Sequence, residues 1–280
     1  MDFKFIDYAG ISNDLKTKLS DLAVSDEVAF LRLAEEYANG NVKKIRKCSD
    51  LLRLAIALKA FEYTYKWYKE KGIPDSIFFD TVSDLGIWCR ENNNNGLKNY
   101  PWIKHHVSFE LFKIGRLQFE ILKCKNPTMH YSKLPFHYGD TVINVHIPAC
   151  GKLDTQECRR SLSQAVSFFN RYFPELKWAY FLCESWLVYG NNHAFMAQNS
   201  NILQFTNLFT VHYSIHYENQ TYERLFGLDR VPLFRSQIRK LPEETSLQKS
   251  AKEFRLSGRR FGIGIATIKK QTVLPSADFC

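Results

Sequence analysis

The residues TVINVHIP at 141–148, followed by ACGKLDTQE at 149–157, give the clearest indication of how this chain folds. Its first part is rich in β-branched residues, which favour a strand. Because side chains alternate along a strand, Asn144 and His146 are expected on one face, with the isoleucine and valine side chains on the other. A proline and a glycine then break the strand, and a helix is predicted to begin near Thr155.

This strand–turn–helix pattern predicts an anion site. The first turn of a helix has backbone N–H groups without partners inside the helix, at the positive end of the helix dipole. Phosphate groups bind to such turns without a long side-chain motif. For His146 at the end of the strand, two interpretations stay open, a catalytic histidine and a histidine whose hydrogen bonds are structural.

Outward from this stretch, the chain divides into a helical first part and a mixed second part. The order of elements predicts an α+β chain with a helical N-terminal domain at 1–126, whose last strand, 116–125, joins the sheet of a second domain at 127–280. Helices are predicted at 25–39, 43–71, 77–90, from Pro101, at 155–173, 194–198 and 243–256, and strands at 116–121, 141–147, 178–188, 201–205, 209–217 and 261–268.

The positive charge is concentrated near the carboxyl end. Of a net charge of +9, residues 230–270 contribute 11 basic and 3 acidic side chains, or +8. Such a field favours an anionic partner, although a solvated basic helix fits as well. Nucleic acid is not expected, because aromatic residues do not interleave with the basic ones as a single-strand groove requires.

Several classes are excluded by composition. No apolar run approaches the roughly 18–20 residues of a membrane span, and no secretory signal is recognised at the start. The 7 cysteines form no CxxC pair, which favours a reducing, cytoplasmic location and no thiolate metal site. His105 and His106 point in different directions on a helix and are expected to be ordinary surface or interface residues.

Polar side chains on two predicted strands could carry chemistry. Glu184 lies in an apolar strand, where burial would raise its pKa and suit a general base. A position on an edge strand, or an ion pair with a residue such as Arg116, would equally explain a glutamate in this segment. Arg116, Gln118 and Glu120 share one strand face, where they could anchor a substrate or face the helical half.

A set of short motifs in a fixed order is more specific than any single one. In this order the chain resembles a bacterial family of predicted N-acyltransferases, which have a helical N-terminal domain and a GNAT-like C-terminal domain. The motifs are GRLQFE at 115–120, VHIPACG at 145–151, SL at 161–162, FF at 168–169, CESWL at 183–187, SNILQF at 200–205, SLQ at 246–248 and GRRFGIG at 258–264.

The resemblance implies a mixed sheet flanked by helices that binds acyl-CoA as cosubstrate, with no metal. An amine acceptor of unknown identity then attacks the thioester directly, assisted by a general base, for which His146 and Glu184 are the predicted residues. The alternative is a non-catalytic GNAT-like module that binds a small ligand or a protein. The predicted coenzyme contacts are Ile147, Ala149, Cys150, Gly151, Thr155, Arg259 and Arg260, and the predicted substrate contacts are Arg116, Gln118, Asn144 and Ser185.

Overall fold

The computed structural model describes residues 2–273, so that 274–280 of the predicted second domain lie outside the described residues. Up to Val107 the described chain is helical, as predicted, and α3 packs against both α2 and α6. The helices of this part are α1 (Asn13–Ser20), α2 (Glu27–Ala38), α3 (Asp50–Glu70), α4 (Asp75–Val82), α5 (Asp84–Glu91) and α6 (Tyr100–Val107).

Side-chain caps mark the starts of α1, α2 and α3. The hydroxyl of Ser49 accepts a hydrogen bond from the Leu52 amide at the start of α3, which begins later than the predicted 43–71. The single helix predicted at 77–90 is wrong, because the chain turns at Ser83 and forms two helices. Gly86 lies there against Gly10, whose carbonyl oxygen would be 2.1 Å from a Cβ at this position.

The six described strands form a mixed sheet, as predicted, in the order β1-β2-β3-β4-β6-β5. β3 and β4 are parallel, whereas β1–β2, β4–β6 and β5–β6 are antiparallel. Only β1 was not predicted. The strands are β1 (Leu111–Ile114), β2 (Leu117–Lys123), β3 (Thr141–His146), β4 (Tyr180–Ser185), β5 (Thr210–Ile215) and β6 (Ile263–Lys269).

The strand predicted at 201–205 is wrong, because this segment is a helix. The hydroxyl of Ser200 caps it by accepting a hydrogen bond from the Leu203 amide, and a short apolar run does not distinguish a strand from a helix. The helices of the second part are α7 (Thr155–Tyr172), α8 (Asn201–Thr206), α9 (Asn219–Phe226), α10 (Arg235–Arg239), α11 (Ser246–Leu256) and α12 (Lys270–Val273).

The chain forms two compact units, each assembled from three separate segments of the sequence. The first unit contains the residues up to Ile121, together with His146–Gly151 and Ser167–Glu175. The second contains Leu122–Val145, Lys152–Val166 and the residues from Leu176 onward. His146 therefore belongs to the same unit as α5, α6 and the residues of β2 up to Ile121. None of the helices described is long and apolar enough to cross a membrane.

Candidate active site

A buried carboxylate in the first unit joins two histidines. β2 places Gln118 and Glu120 on one face, and both side chains are buried. Glu120 Oε2 lies 2.8 Å from His146 Nε2, and Glu120 Oε1 lies 2.9 Å from His105 Nδ1. The structure thus brings His146, which was predicted from the sequence, to a carboxylate. His105, expected to be an ordinary surface or interface residue, is half-buried and lies against this buried carboxylate.

The charges in this cluster follow from the same contacts. Burial acts to raise the pKa of Glu120, but hydrogen bonds to His105 and His146 outweigh burial and hold this pKa well below its ordinary value. Burial acts to lower the pKa of His105, but hydrogen bonds to Glu110 and Glu120 raise it to about 9. At neutral pH, Glu120 is therefore a carboxylate and His105 an imidazolium.

The outer end of the cluster is a further ion pair. Glu110 Oε2 lies 3.1 Å from His105 Nδ1 and 2.5 Å from the ammonium of Lys104. One donor atom from each of His105, Glu110 and Glu120 falls within 4.8 Å of the others, a set that could hold a divalent cation. An incoming cation would have to displace the proton of His105 and the ammonium of Lys104. The absence of a metal stays a prediction.

A second buried carboxylate, that of Asp84, lies in the same unit and accepts four hydrogen-bonding contacts. Asp84 is 2% exposed, and its Oδ1 accepts a hydrogen bond from Gln118 Nε2 at 2.7 Å. Burial acts to raise the pKa of Asp84, but the charge of His106 and the hydrogen bonds lower it to about 2. Its Oδ2 lies 2.9 Å from Trp88 Nε1, 3.1 Å from Trp102 Nε1 and 3.1 Å from His106 Nε2.

Trp102 connects the two carboxylate clusters. While its indole N–H donates to Asp84, its ring stands edge-on to the ring of His146, with centroids 4.7 Å apart. It packs in the same way against His106, at 5.4 Å. Because an aromatic side chain tethered at its N–H has little rotational freedom, Asp84 fixes one wall beside the His146 ring. His106 is fully buried, so its prediction as a surface or interface residue is wrong as well.

The turn after β3 is exposed and is held by Arg116. The two terminal nitrogens of this guanidinium donate to the carbonyl oxygens of Pro148 and Gly151, each at 3.0 Å. Gly151 has a φ of 138°, a backbone conformation that residues with a Cβ rarely adopt. Ala149, Cys150 and Gly151 are all exposed. Arg116 therefore places a positive charge beside an open turn.

Helix α7 of the second unit begins at Thr155, as predicted. The carboxylate of Asp154 caps the helix by accepting a hydrogen bond from the Glu157 amide at 2.9 Å. The hydroxyl of Thr155 donates to Gln204 Oε1 at 3.4 Å. One amide of this helix end is thus already bonded, and the carboxylate brings a negative charge that opposes a phosphate there.

The remaining predicted residues fall into separate surroundings. Glu184 lies on a central strand, but its side chain is exposed. The prediction that Glu184 is buried, with a pKa raised by burial, is therefore wrong. Ser185 is buried, and its hydroxyl accepts from the Leu187 amide at 3.2 Å. Asn144 is half-buried on β3. Arg259 and Arg260 are exposed, and the Arg259 guanidinium lies 5.6 Å from the ring centroid of Phe254.

Comparison with known proteins assigns a family to both parts of the chain. Residues 12–109 match the family model described as the N-acyltransferase N-terminal domain, and residues 111–268 match the GNAT-like C-terminal domain. The resemblance seen in the sequence motifs is thereby confirmed. No curated protein matches the sequence.

Solved structures share the fold at low sequence identity. An acyltransferase in complex with decanoyl-CoA and teicoplanin superimposes with a TM-score of 0.76 at 20% identity, covering 94% of this chain and 86% of that one. A mutant acyltransferase in complex with octanoyl-CoA gives a TM-score of 0.77 at 19% identity, covering 96% and 86%. A third complex, with CoA and 10C-teicoplanin, gives 0.74 at 20% identity, covering 94% and 86%.

Proposed function

The chain belongs to the family that joins an N-acyltransferase N-terminal domain to a GNAT-like C-terminal domain, and from this premise we propose that it transfers an acyl group from acyl-CoA to an amine. Structures of the same fold hold octanoyl-CoA and decanoyl-CoA, which supports medium-chain donors as the first to test. The observation that carries the chemistry is the 2.8 Å contact between His146 and Glu120.

In this proposal His146 is the general base. An ionised carboxylate can only accept hydrogen bonds, so His146 Nε2 carries the proton that faces Glu120. Nδ1 of the neutral ring then carries the lone pair, and it takes a proton from the acceptor amine as the amine nitrogen attacks the thioester carbonyl. The C–N bond forms, the C–S bond breaks, and the coenzyme leaves as a thiolate. Glu120 stabilises the imidazolium that develops on His146.

The turn after β3 is proposed to contact the phosphate groups of the coenzyme. It is open enough for a close approach, since a Cβ on Gly151 would meet no atom within 4 Å, and the Arg116 guanidinium adds a positive charge. In this proposal Ile147, Ala149 and Cys150 contribute from the same turn. Roles for Thr155, Arg259 and Arg260 in coenzyme binding, and for Glu184 in catalysis, stay predictions.

The acceptor is proposed to be a small molecule that bears an amine, with Asn144, Ser185 and Gln118 as predicted contacts. Of these, Gln118 is bonded to Asp84, so its contribution would come through the position of β2. Related folds are seen with teicoplanin bound. Glycopeptide amines are therefore the first acceptors to test, beside simple alkylamines.

The test measures coenzyme binding and turnover separately. Octanoyl-CoA and decanoyl-CoA are expected to raise the melting temperature saturably, and a thiol reagent should detect free CoA when an amine acceptor is added. His146→Ala is expected to lower kcat by roughly 10²–10⁴-fold, the usual contribution of a general base, with little change in coenzyme affinity. Melting temperatures that stay flat across the acyl-CoA panel would favour the non-catalytic module instead.

A further inference from the structure

A cleft in the second unit is not used by the proposed reaction. It has a volume of about 560 Å³ and lies where β3 and β4 begin and β6 ends. Phe136, Trp178 and Tyr180 line its apolar wall, and the side chains of Lys177 and Lys270 also line it. This volume lies within the range of small-molecule sites, roughly 300–1,000 Å³.

The cleft is lined by two lysines and one aspartate, so its positive charge is only partly balanced. The Lys270 ammonium lies 4.4 Å from the ring centroid of Trp178, and burial lowers the pKa of this lysine. Within residues 2–273, neither Lys177 nor Lys270 forms an ion pair. Asp140 is the carboxylate that lines the cleft, and it accepts a hydrogen bond from the His137 amide at 2.8 Å.

A partly desolvated ammonium without a counter-ion costs free energy, which an anion bound beside it would recover. The indole face stabilises the ammonium in part and leaves the other side of the charge for a ligand. We propose that this cleft binds a small organic monoanion that carries an aromatic group. Its carboxylate or sulfonate pairs with Lys270 and Lys177, and its ring packs on Trp178 and Phe136.

The probe for this site is 8-anilinonaphthalene-1-sulfonate, an aromatic anion that becomes fluorescent in apolar surroundings. The full chain is expected to bind it saturably at one site, with an affinity that falls as KCl is raised. Lys270→Gln is expected to weaken binding at least tenfold. Lys269→Gln is the matched control, because it removes the same charge from the neighbouring residue, which is exposed and does not line the cleft.

Separate measurements distinguish this site from the acyl-CoA site. Melting temperatures of both variants check that each is folded, and benzoate is expected to displace the probe from the wild type. If Lys269→Gln and Lys270→Gln weakened binding of the probe equally, the proposal would be overturned, because the probe would then respond only to the net charge of the protein. It would equally be overturned if decanoyl-CoA displaced all the bound probe, or if no saturable binding occurred at millimolar concentrations.

Discussion

Glu120→Gln tests the central claim about the base. The substitution keeps the size of the side chain and removes the charge that stabilises the imidazolium developing on His146 during the reaction. Glu120 is shielded from water, with 8% of its side chain exposed, and His146 is partly exposed, at 25%. A hydrogen bond to a charged group contributes about 1.5–3 kcal/mol. Since about 1.4 kcal/mol corresponds to a tenfold rate change, kcat is expected to fall roughly 10- to 150-fold, with KM for acyl-CoA unchanged.

Glu110→Gln is the matched control for this experiment. Glu110 also bonds to His105, but its carboxylate is 40% exposed and is paired with Lys104 instead of His146. Exposed ion pairs contribute about 0.2–1 kcal/mol, so kcat is expected to fall less than about fivefold. Both constants are measured by following CoA release with a thiol reagent, at saturating acceptor and varied decanoyl-CoA.

The comparison of the two variants decides the question. Circular dichroism and thermal unfolding first establish that both variants are folded. A similar loss of kcat in Glu110→Gln and Glu120→Gln would refute the reasoning, since it would mean that the cluster acts through its net charge. A rise in KM for acyl-CoA at constant kcat in Glu120→Gln would refute it too, because the carboxylate would then serve coenzyme binding.

Three further predictions concern the surroundings of this pair. Asp84→Asn leaves buried donors facing an amide and is expected to destabilise the fold by about 3–5 kcal/mol in urea denaturation, and to lower kcat because Trp102 loses its anchor; unchanged stability would contradict the buried network. The pKa of His105 is raised to about 9 in the folded protein. Its protonation therefore stabilises the folded state, and this stabilisation is complete at pH values below the ordinary pKa of about 6.5. The free energy of unfolding should therefore fall as pH rises from 6.5 through 9, and His105→Gln should flatten this part of the curve. Arg116→Gln releases the turn after β3 and is expected to raise KM for acyl-CoA several-fold with little change in kcat, whereas an unchanged KM would remove the turn from the coenzyme site.

Local patterns were enough to predict the strands that carry the candidate base. Alternation in β2 places Gln118 and Glu120 on one face, and alternation in β3 places His146 beside a turn. These inferences hold because period-two alternation is a property of the backbone and does not depend on neighbours in space. The helical first part was predictable for the same reason, since its apolar residues recur at helical spacing.

The partners of these side chains could not be predicted, because they come from distant parts of the sequence. The sequence predicts His105 and His106 to be ordinary surface or interface residues, although each lies against a buried carboxylate. The available signal was the alternation of polar and apolar residues along β2. If its polar face is buried, Glu120 needs hydrogen-bonding partners, and histidines elsewhere in the chain can supply them. Glu184 shows the opposite error, because an apolar strand does not by itself bury each of its side chains.

The two buried carboxylates differ in what their partners can do. Asp84 is surrounded by two indole N–H groups, an amide and a histidine, and this histidine, its one titratable partner, is fully buried. Glu120 is bonded to His146, a quarter of which is exposed. Only the second arrangement can pass a proton to or from a bound molecule. On α6, His105 contacts Glu120 and His106 contacts Asp84. The same helix therefore supports both the structural network around Asp84 and the carboxylate that is bonded to the proposed base.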